Sequence, residues 1–183
     1  MQEPDQAPVI LITGAARRIG AVIAQLFHSQ GYRVIIHYNR SASAADKLCR
    51  ELNNLREDSC LLVQCDLNEI IGLDKIADLV SSIGRLDVLV NNAGVLSAGD
   101  FSEMSSSNIN AMIAVNIGGL TTVSHQAFPY LRDTEDAVVL NLCSASSIHG
   151  IPWLGVYSAS KFYVDGLTQA LAIEWQDHDI HVT

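Results

Sequence analysis

Two side chains near the end of the sequence have the types and the spacing needed for proton transfer. Tyr157 and Lys161 are four residues apart, so on a helix both would project from the same face. A free phenol ionises only near pH ~10, but a neighbouring ammonium favours the phenolate and makes the group usable near neutrality. The pair therefore suits proton exchange with an alcohol or a carbonyl. Tyrosine and lysine at this spacing are also common on solvated helix faces, so the surrounding elements must decide.

A glycine turn near the beginning of the chain is the first element that bears on the role of this pair. An apolar run at residues 9–12 predicts a strand, Gly14 follows it, and Gly20 precedes a helix predicted at residues 21–29. In a dinucleotide site the first glycine permits a tight turn, a later one lets the helix pack on the strand, and the helix start faces phosphates. A plain strand-to-helix turn is the alternative. The residues between the two glycines include Arg17, Arg18 and Ile19.

The end of the second predicted strand, at residues 33–37, carries basic and polar groups. A Rossmann unit meets the adenosine ribose here, where Asp or Glu selects NAD and Arg accommodates a 2′-phosphate. No acid is present, and Arg40 has the geometry that phosphate requires, with Arg17 approaching from the glycine turn. We therefore expect NADP(H) rather than NAD(H), against the alternative of a solvated basic turn. The segment comprises His37, Tyr38, Asn39, Arg40 and Ser41, and Arg40, Ser41 and His37 could donate hydrogen bonds to a 2′-phosphate.

Three further positions carry polar or small residues, and each allows two interpretations. Asp66, followed by Leu67 after the third predicted strand, could accept a hydrogen bond from adenine or cap a helix beginning near residue 68. After the fourth strand, small residues would admit a ligand, while the asparagines could pin neighbouring strands. Asn116 is unfavourable inside a helix and could cap a kink. The stretch after the fourth strand includes Asn92, Ala93 and Gly94.

Strand-like and helix-length segments alternate along the chain, which favours a parallel α/β sheet. Strands are predicted at residues 9–12, 33–37, 61–64, 87–90, 137–142 and 180–183, and helices at residues 21–29, 44–56, 70–83, 108–131 and 157–177. With the glycine turn typical of a Rossmann unit, we expect the fold class to be α/β, with a Rossmann-like, doubly wound parallel sheet between two helical layers.

Length and composition restrict the class of protein. The chain has 183 residues, 49% of them hydrophobic and 17% charged, as expected for one folded domain. A net charge of −9 argues against binding to nucleic acid or to an anionic membrane. The four cysteines form no C-x-x-C pair, so we expect no metal site. Without an apolar leader or a membrane-length run, we expect a cytoplasmic protein.

The motifs taken together resemble the short-chain dehydrogenase/reductase family from residue 8 onward. They are T-G-x-x-x-x-x-G after strand one, N-N-A-G after strand four, a serine after strand five and Y-x-x-x-K on the next helix. The resemblance implies Tyr157 as the catalytic acid/base and Lys161 as the group that stabilises the phenolate and holds the nicotinamide ribose. It also implies that Ser144 orients the substrate oxygen and that Asn116 supports a water linked to the lysine.

A narrower resemblance to pteridine reductases covers the first half of the chain. Residues 13–20 read T-G-A-A-R-R-I-G and residues 37–41 read H-Y-N-R-S. The resemblance implies NADPH use, and it places Arg18 near a bound pterin. The second half departs from that pattern, because Gly94 and Ser144 are typical of general carbonyl and hydroxysteroid-type reductases. The expected substrate is therefore a small carbonyl, alcohol or dihydropterin-like molecule.

Family members continue past the sixth strand through a substrate-closing loop and a last helix and strand. Residues 1–183 are thus expected to be a single cofactor-binding and catalytic domain that lacks this usual C-terminal strand and helix. The family also forms dimers and tetramers, through helices that correspond to residues 108–131 and 157–177. Two other hypotheses stand beside the enzyme: a nucleotide-binding protein without turnover, and an assembly module.

Overall fold

Six parallel strands form the centre of the molecule, in a computed structural model that describes residues 7–183 except for the side chains of residues 70 and 71. The order across the sheet is β3-β2-β1-β4-β5-β6. The strands are β1 (Val9–Ile12), β2 (Arg33–Tyr38), β3 (Cys60–Gln64), β4 (Val88–Asn91), β5 (Ala137–Asn141) and β6 (Ile180–Val182). This is the doubly wound, Rossmann-like sheet that the alternation of segments predicted.

Helices connect successive strands, as parallel strands require. They are α1 (Arg18–Ser29), α2 (Ala42–Leu55), α3 (Ile70–Ile83), α4 (Ser106–Ile113), α5 (Leu120–Arg132) and α6 (Gly155–Glu174). A π-helical segment, Ala114–Gly119, joins α4 to α5. Short 3-10 turns lie at Phe101–Glu103, Ala145–Ser147 and Gln176–His178. Within residues 7–183, no helix has both the length and the apolar character that crossing a bilayer requires.

Alternate residues of each strand enter two separate cores, because successive side chains point to opposite faces of a sheet. On one face Leu11 and Leu89 pack with residues of α3 and α5. On the other face Ile12 and Val90 pack with residues of α1 and α2. A sheet covered on both faces explains why the central strands read as continuous apolar runs.

Several helix boundaries differ from the sequence-based expectation by a few residues, and two of the differences bear on the site. Helix α1 begins at Arg18 rather than at residue 21, directly after the extended residue Arg17. The helix predicted at 108–131 is divided by its π-helical segment, in which Asn116 is buried. A π-helical turn widens the backbone locally and is commonly found at functional sites.

Candidate active site

The chain reverses its direction of winding between β1 and β4, which are neighbours in the sheet. Loops that leave the carboxyl ends of such strands diverge to opposite faces and open a crevice. A cleft of about 320 Å³ lies there, and a second cleft of about 590 Å³ shares several of its walls. Predicted cofactor residues that line the first are Gly14, Arg17, Arg18, Ile19, His37, Asn39, Asp66, Leu67, Asn92, Ala93 and Gly94. Tyr38, Arg40 and Ser41 line the second.

The glycine turn leaves no room for side chains at two positions. Gly14 has a φ of +66°, and a Cβ on it would lie 3.1 Å from the Cα of Ala93. A Cβ on Gly20 would lie 2.6 Å from Asn92 Nδ2 and 2.8 Å from the Cα of Ala15. The two glycines therefore let α1 and the end of β4 close tightly around the beginning of the cleft.

Three arginines give the clefts a basic rim in a chain that is acidic overall. Arg17 and Arg18 line both clefts and Arg40 lines the larger one. Their side chains are exposed, and within residues 7–183 none of the three forms a salt bridge. Arg18 holds a positive φ of 54°, a conformation that costs energy for a residue with a side chain. The rim thus offers guanidinium donors of the kind that phosphate groups require.

His37 lines the first cleft, but both of its ring nitrogens have partners inside the protein. Nδ1 accepts a hydrogen bond from the Gly14 N–H at 3.1 Å, and Nε2 lies 3.2 Å from the Cys65 carbonyl oxygen. Burial lowers the pKa of His37 to about 4, since a desolvated ring favours its neutral form. This differs from the expectation that His37 donates to a 2′-phosphate.

Asn92 and Thr13 connect β1 to the end of β4. Asn92 Nδ2 donates to the carbonyl oxygens of Thr13 and Gly14 at 2.8 and 3.1 Å. Thr13 Oγ1 accepts from the N–H groups of Asn92 and Ala93, both at 3.0 Å. The structural interpretation of the asparagines is thereby confirmed, and Asn92 also lines the cleft. Thr13 was missed because its partners are about 80 residues away in sequence.

Asp66 serves a turn and also lines both clefts. Its Oδ1 accepts a hydrogen bond from the Asn68 N–H at 2.9 Å. Helix α3 starts at Ile70, the first residue of the predicted range 70–83, and its N-cap residue is Glu69 rather than Asp66. Asp66 therefore orders the connection that leads into α3 instead of capping the helix itself.

Tyr157 and Lys161 are both on α6, as their spacing predicted. Lys161 is buried, its Nζ donates to the Leu142 carbonyl oxygen at 2.7 Å, and Nζ lies 5.8 Å from the centroid of the Tyr157 ring. Desolvation lowers the pKa of Lys161. Ser144 Oγ accepts a hydrogen bond from the Ser146 N–H at 3.2 Å, so its own hydroxyl hydrogen points elsewhere.

Asn116 joins the cleft to α6. Its Oδ1 accepts from the Val95 N–H at 2.8 Å, and its Nδ2 donates to the Val95 carbonyl at 2.9 Å and to Ser160 Oγ at 3.1 Å. Ser160 in turn donates to the Tyr157 carbonyl at 2.7 Å. Val95 lines both clefts. The buried amide therefore ties the helix of Tyr157 to the cleft wall, and Ser160 is a participant that the sequence motifs did not reveal.

The residues around the clefts suit a phosphorylated dinucleotide. The glycines allow close backbone approach and the arginines provide donors for anionic oxygens. Ile19, Ala93 and Val115 supply apolar wall to the first cleft, which is what a flat aromatic ring needs.

The sequence model of the family described as short chain dehydrogenase matches residues 8–183. Versicolorin reductase stcU of Emericella nidulans is 32% identical over 95% of this chain and 66% of its own length. The 3-ketodihydrosphingosine reductase of Bacteroides thetaiotaomicron is also 32% identical, over 97% of this chain and 61% of its own length. The chain thus spans less than two thirds of these two relatives.

Solved structures give the same result. A short chain dehydrogenase from Burkholderia cenocepacia, in complex with NADP, superimposes with a TM-score of 0.89 at 30% identity, covering 98% of this chain and 73% of that one. A short-chain dehydrogenase from Sphingobium yanoikuyae, in complex with NADPH, also reaches 0.89, at 26% identity over 96% of this chain and 68% of that one. With the match across residues 8–183, these likenesses establish that the chain belongs to the short-chain dehydrogenase family.

Proposed function

We propose that this protein is an NADP(H)-dependent oxidoreductase that interconverts a carbonyl compound and the corresponding alcohol. The observation that carries the proposal is the buried Lys161 ammonium, 5.8 Å from the ring of Tyr157. Asn116 ties the helix bearing both residues to Val95, in the wall of both clefts. One domain would thus hold the cofactor and carry the reacting groups.

The choice of NADP(H) rests on the end of β2. The segment 37–41 contains no acid that could hold a ribose 2′-hydroxyl, and Arg40 and Ser41 line the larger cleft together with Arg17. The related structures from Burkholderia cenocepacia and Sphingobium yanoikuyae are described as complexes with NADP and NADPH. Both observations support binding of the 2′-phosphorylated cofactor by this chain.

The proposed chemistry assigns a separate task to each side chain. When bound, the nicotinamide supplies a hydride to the carbonyl carbon or accepts one from the alcohol. Tyr157 gives a proton to the oxygen as negative charge develops on it, and Lys161 stabilises the phenolate that remains. Ser144 donates its free hydroxyl hydrogen to the same oxygen. Asn116 fixes the position of α6 relative to the cleft through its hydrogen bonds with Ser160 and Val95.

The substrate class we propose is a ketone. Two relatives are named a versicolorin reductase and a 3-ketodihydrosphingosine reductase, and Ser144 with Tyr157 suits an oxygen that gains charge. Dihydropterins belong in the same substrate panel, because Arg18 lines the first cleft and residues 37–41 read H-Y-N-R-S.

We also propose that the protein forms a homodimer or homotetramer through α6 and the neighbouring helices. Phe162 is 44% exposed and Ile173 is 76% exposed on α6, which is much apolar surface for one helix. Ile113 at the end of α4 is 46% exposed. Tyr163 pairs with Thr121 at 2.9 Å and links α6 to α5 within the protomer.

The catalytic proposal is tested by comparing Tyr157→Phe with the wild-type protein in a single-turnover assay of NADPH oxidation with a ketone panel. Loss of the acid is expected to slow hydride transfer by about 10²–10⁴-fold, while NADPH affinity stays within about twofold. Tyr163→Phe is the matched control, since it removes a phenol hydroxyl from the same helix and should retain turnover.

Each other outcome has a distinct meaning. Turnover that survives in Tyr157→Phe would remove this residue from the acid/base role. A wild-type protein that binds NADPH but oxidises it with no carbonyl or dihydropterin substrate would favour a cofactor-binding protein without turnover.

A further inference from the structure

His37 is held between the glycine turn and the end of β3, and it contacts the turn twice. The Gly14 N–H donates to the ring at Nδ1, at 3.1 Å, and the Ala15 N–H donates to the backbone carbonyl of His37 at 2.9 Å. On the far side of the ring, Nε2 lies 3.2 Å from the Cys65 carbonyl oxygen. The consecutive N–H groups of Gly14 and Ala15 therefore both donate hydrogen bonds to His37.

The partners of the ring determine where its proton lies. A backbone carbonyl can only accept, so the proton must be on Nε2 to donate to Cys65. A backbone N–H can only donate, so Nδ1 must be unprotonated to accept from Gly14. Both nitrogens of this neutral tautomer are then satisfied, and no ring hydrogen remains for a phosphate oxygen.

We propose that His37 is a positioning residue that holds the glycine turn in its cofactor-binding shape, and that it is not a ligand of the 2′-phosphate. The proposal rests on the function proposed above, in which this turn receives the pyrophosphate of NADP(H). The groups that select the 2′-phosphate are then the exposed Arg17 and Arg40 and the half-buried Ser41, which line the larger cleft. The burial of His37, which is only 2% exposed, agrees with this division.

The turn needs such support because of the conformation of Gly14. Its φ is +66°, and its carbonyl oxygen accepts from Asn92 Nδ2 at 3.1 Å. On the side of β2, His37 accepts a hydrogen bond from the Gly14 N–H. On the side of β4, Asn92 donates to the Gly14 carbonyl oxygen. A turn fixed on both sides loses less conformational freedom when a ligand binds.

The first test measures the dissociation constants of NADPH and NADH for wild-type protein, His37→Asn, His37→Gln and Arg40→Gln. The Asn side chain keeps an acceptor near the position of Nδ1, whereas Gln places its amide near the position of Nε2. We expect His37→Asn to stay within about threefold of wild type, and His37→Gln to weaken both cofactors equally, by about three- to tenfold, the worth of one hydrogen bond. Arg40→Gln should instead weaken NADPH selectively.

The ratio of the two constants decides between positioning and direct contact. A loss of NADPH affinity in the His37 variants with NADH affinity unchanged would overturn the proposal, because only a phosphate ligand acts on one cofactor alone. Indistinguishable affinities in His37→Gln and wild type would also overturn it.

A second measurement needs no variant to fold. Nitrogen-15 NMR of the wild-type protein should show the His37 proton on Nε2, with no change of tautomer when NADPH is added. A proton on Nδ1 would contradict the proposal. Failure of the wild-type protein to bind either cofactor would instead refute the proposed function, and the tautomer would still report whether the ring holds the turn.

Discussion

At the scale of single residues, the roles proposed here depend on groups taken out of water. Lys161 is 7% exposed, and its ammonium donates to the Leu142 carbonyl at 2.7 Å. Desolvation lowers its pKa, so the protein maintains a costly buried cation beside Tyr157. A buried ammonium destabilises the fold, so its presence beside Tyr157 favours a role for Lys161 in a reaction over a role in stability.

Because the pKa of His37 is lowered by burial, the free energy of unfolding depends on pH in the acidic range. This pKa is about 4 in the folded protein, against 6.5 for an ordinary histidine. Between these values the unfolded chain binds a proton that the folded chain does not, so the free energy of unfolding falls as the pH falls from 6.5 to about 4. The full loss below that range is about 3 kcal/mol. Burial lowers the pKa of His28 as well, which adds to the trend.

Urea unfolding at a series of pH values measures this dependence. Between pH 6.5 and 4, the free energy of unfolding should change less steeply with pH in His37→Asn than in wild type. The difference in slope should correspond to about one fewer proton taken up on unfolding. His125→Asn, at an exposed position of α5, is the control. Equal slopes in wild type and His37→Asn would contradict the assignment of this titration to His37.

The sequence predicted the pairing of residues that are near in the chain, and it missed the partners of residues that are paired over long distances. Tyr157 and Lys161 are paired by the helix itself. The partner of His37 at Gly14 is 23 residues away, and the partner of Asn116 at Ser160 is 44 residues away. Such contacts exist only after the sheet has assembled, so no local pattern marks them.

At the scale of elements, the π-helical segment 114–119 is the feature that positions the site. Its Gly119 packs against Leu67 in the turn after β3, where a Cβ on the glycine would lie 2.8 Å from Leu67 Cβ and 3.0 Å from the Leu67 carbonyl oxygen. Leu67 and Val115 both line the first cleft. The sequence predicted a helical stretch over 108–131, with a kink at Asn116 as the alternative. It did not predict a π-helical turn, because the wider turn depends on this packing rather than on helical periodicity.

Two neighbouring glycines of this segment should respond in opposite ways to alanine. Gly119→Ala forces a Cβ into Leu67 and should lower the free energy of unfolding by about 1–3 kcal/mol. At Gly118 the added Cβ would meet only the Ile113 carbonyl at 4.0 Å. Gly118→Ala should therefore be neutral or stabilise by up to about 1 kcal/mol, from helix propensity.

Thermal and urea unfolding of the two variants provides the measurement. Equal stability of Gly118→Ala and Gly119→Ala would contradict the close packing of Gly119 against Leu67. If Gly119→Ala is stable and its NADPH affinity is unchanged, the packing of Gly119 against Leu67 does not determine the shape of the cleft.

At the scale of the whole molecule, the alternation of apolar runs with helix-length segments was sufficient to predict the fold. Each strand buried on both faces reads as an apolar run, and each crossover needs a helix. The rule of right-handed connection decides which face of the sheet each crossover helix covers, and the observed order β3-β2-β1-β4-β5-β6 places the cleft at β1 and β4. Substrate choice does not follow from those rules, because it depends on loops.

The exposed apolar surface of α6 predicts an oligomer. Light scattering across a range of concentrations should give a mass of two or four chains, because Phe162 and Ile173 would otherwise face water. Phe162→Glu should shift the mass towards the monomer, while Gln25→Glu, at an exposed position of α1 on the other side of the sheet, serves as the charge control. A strict monomer at high concentration would contradict the proposed interface.

The most direct test of the account is a fluorescence titration of this chain with NADPH and with NADH, carried out on wild-type protein and on Arg40→Asp. We predict that wild-type protein binds NADPH at least about tenfold more tightly, since a guanidinium bound to phosphate contributes about 1.5–3 kcal/mol, and that Arg40→Asp moves the preference towards NADH. Binding of neither cofactor, or equal binding of both by wild-type protein, would contradict the cofactor site described for the end of β2.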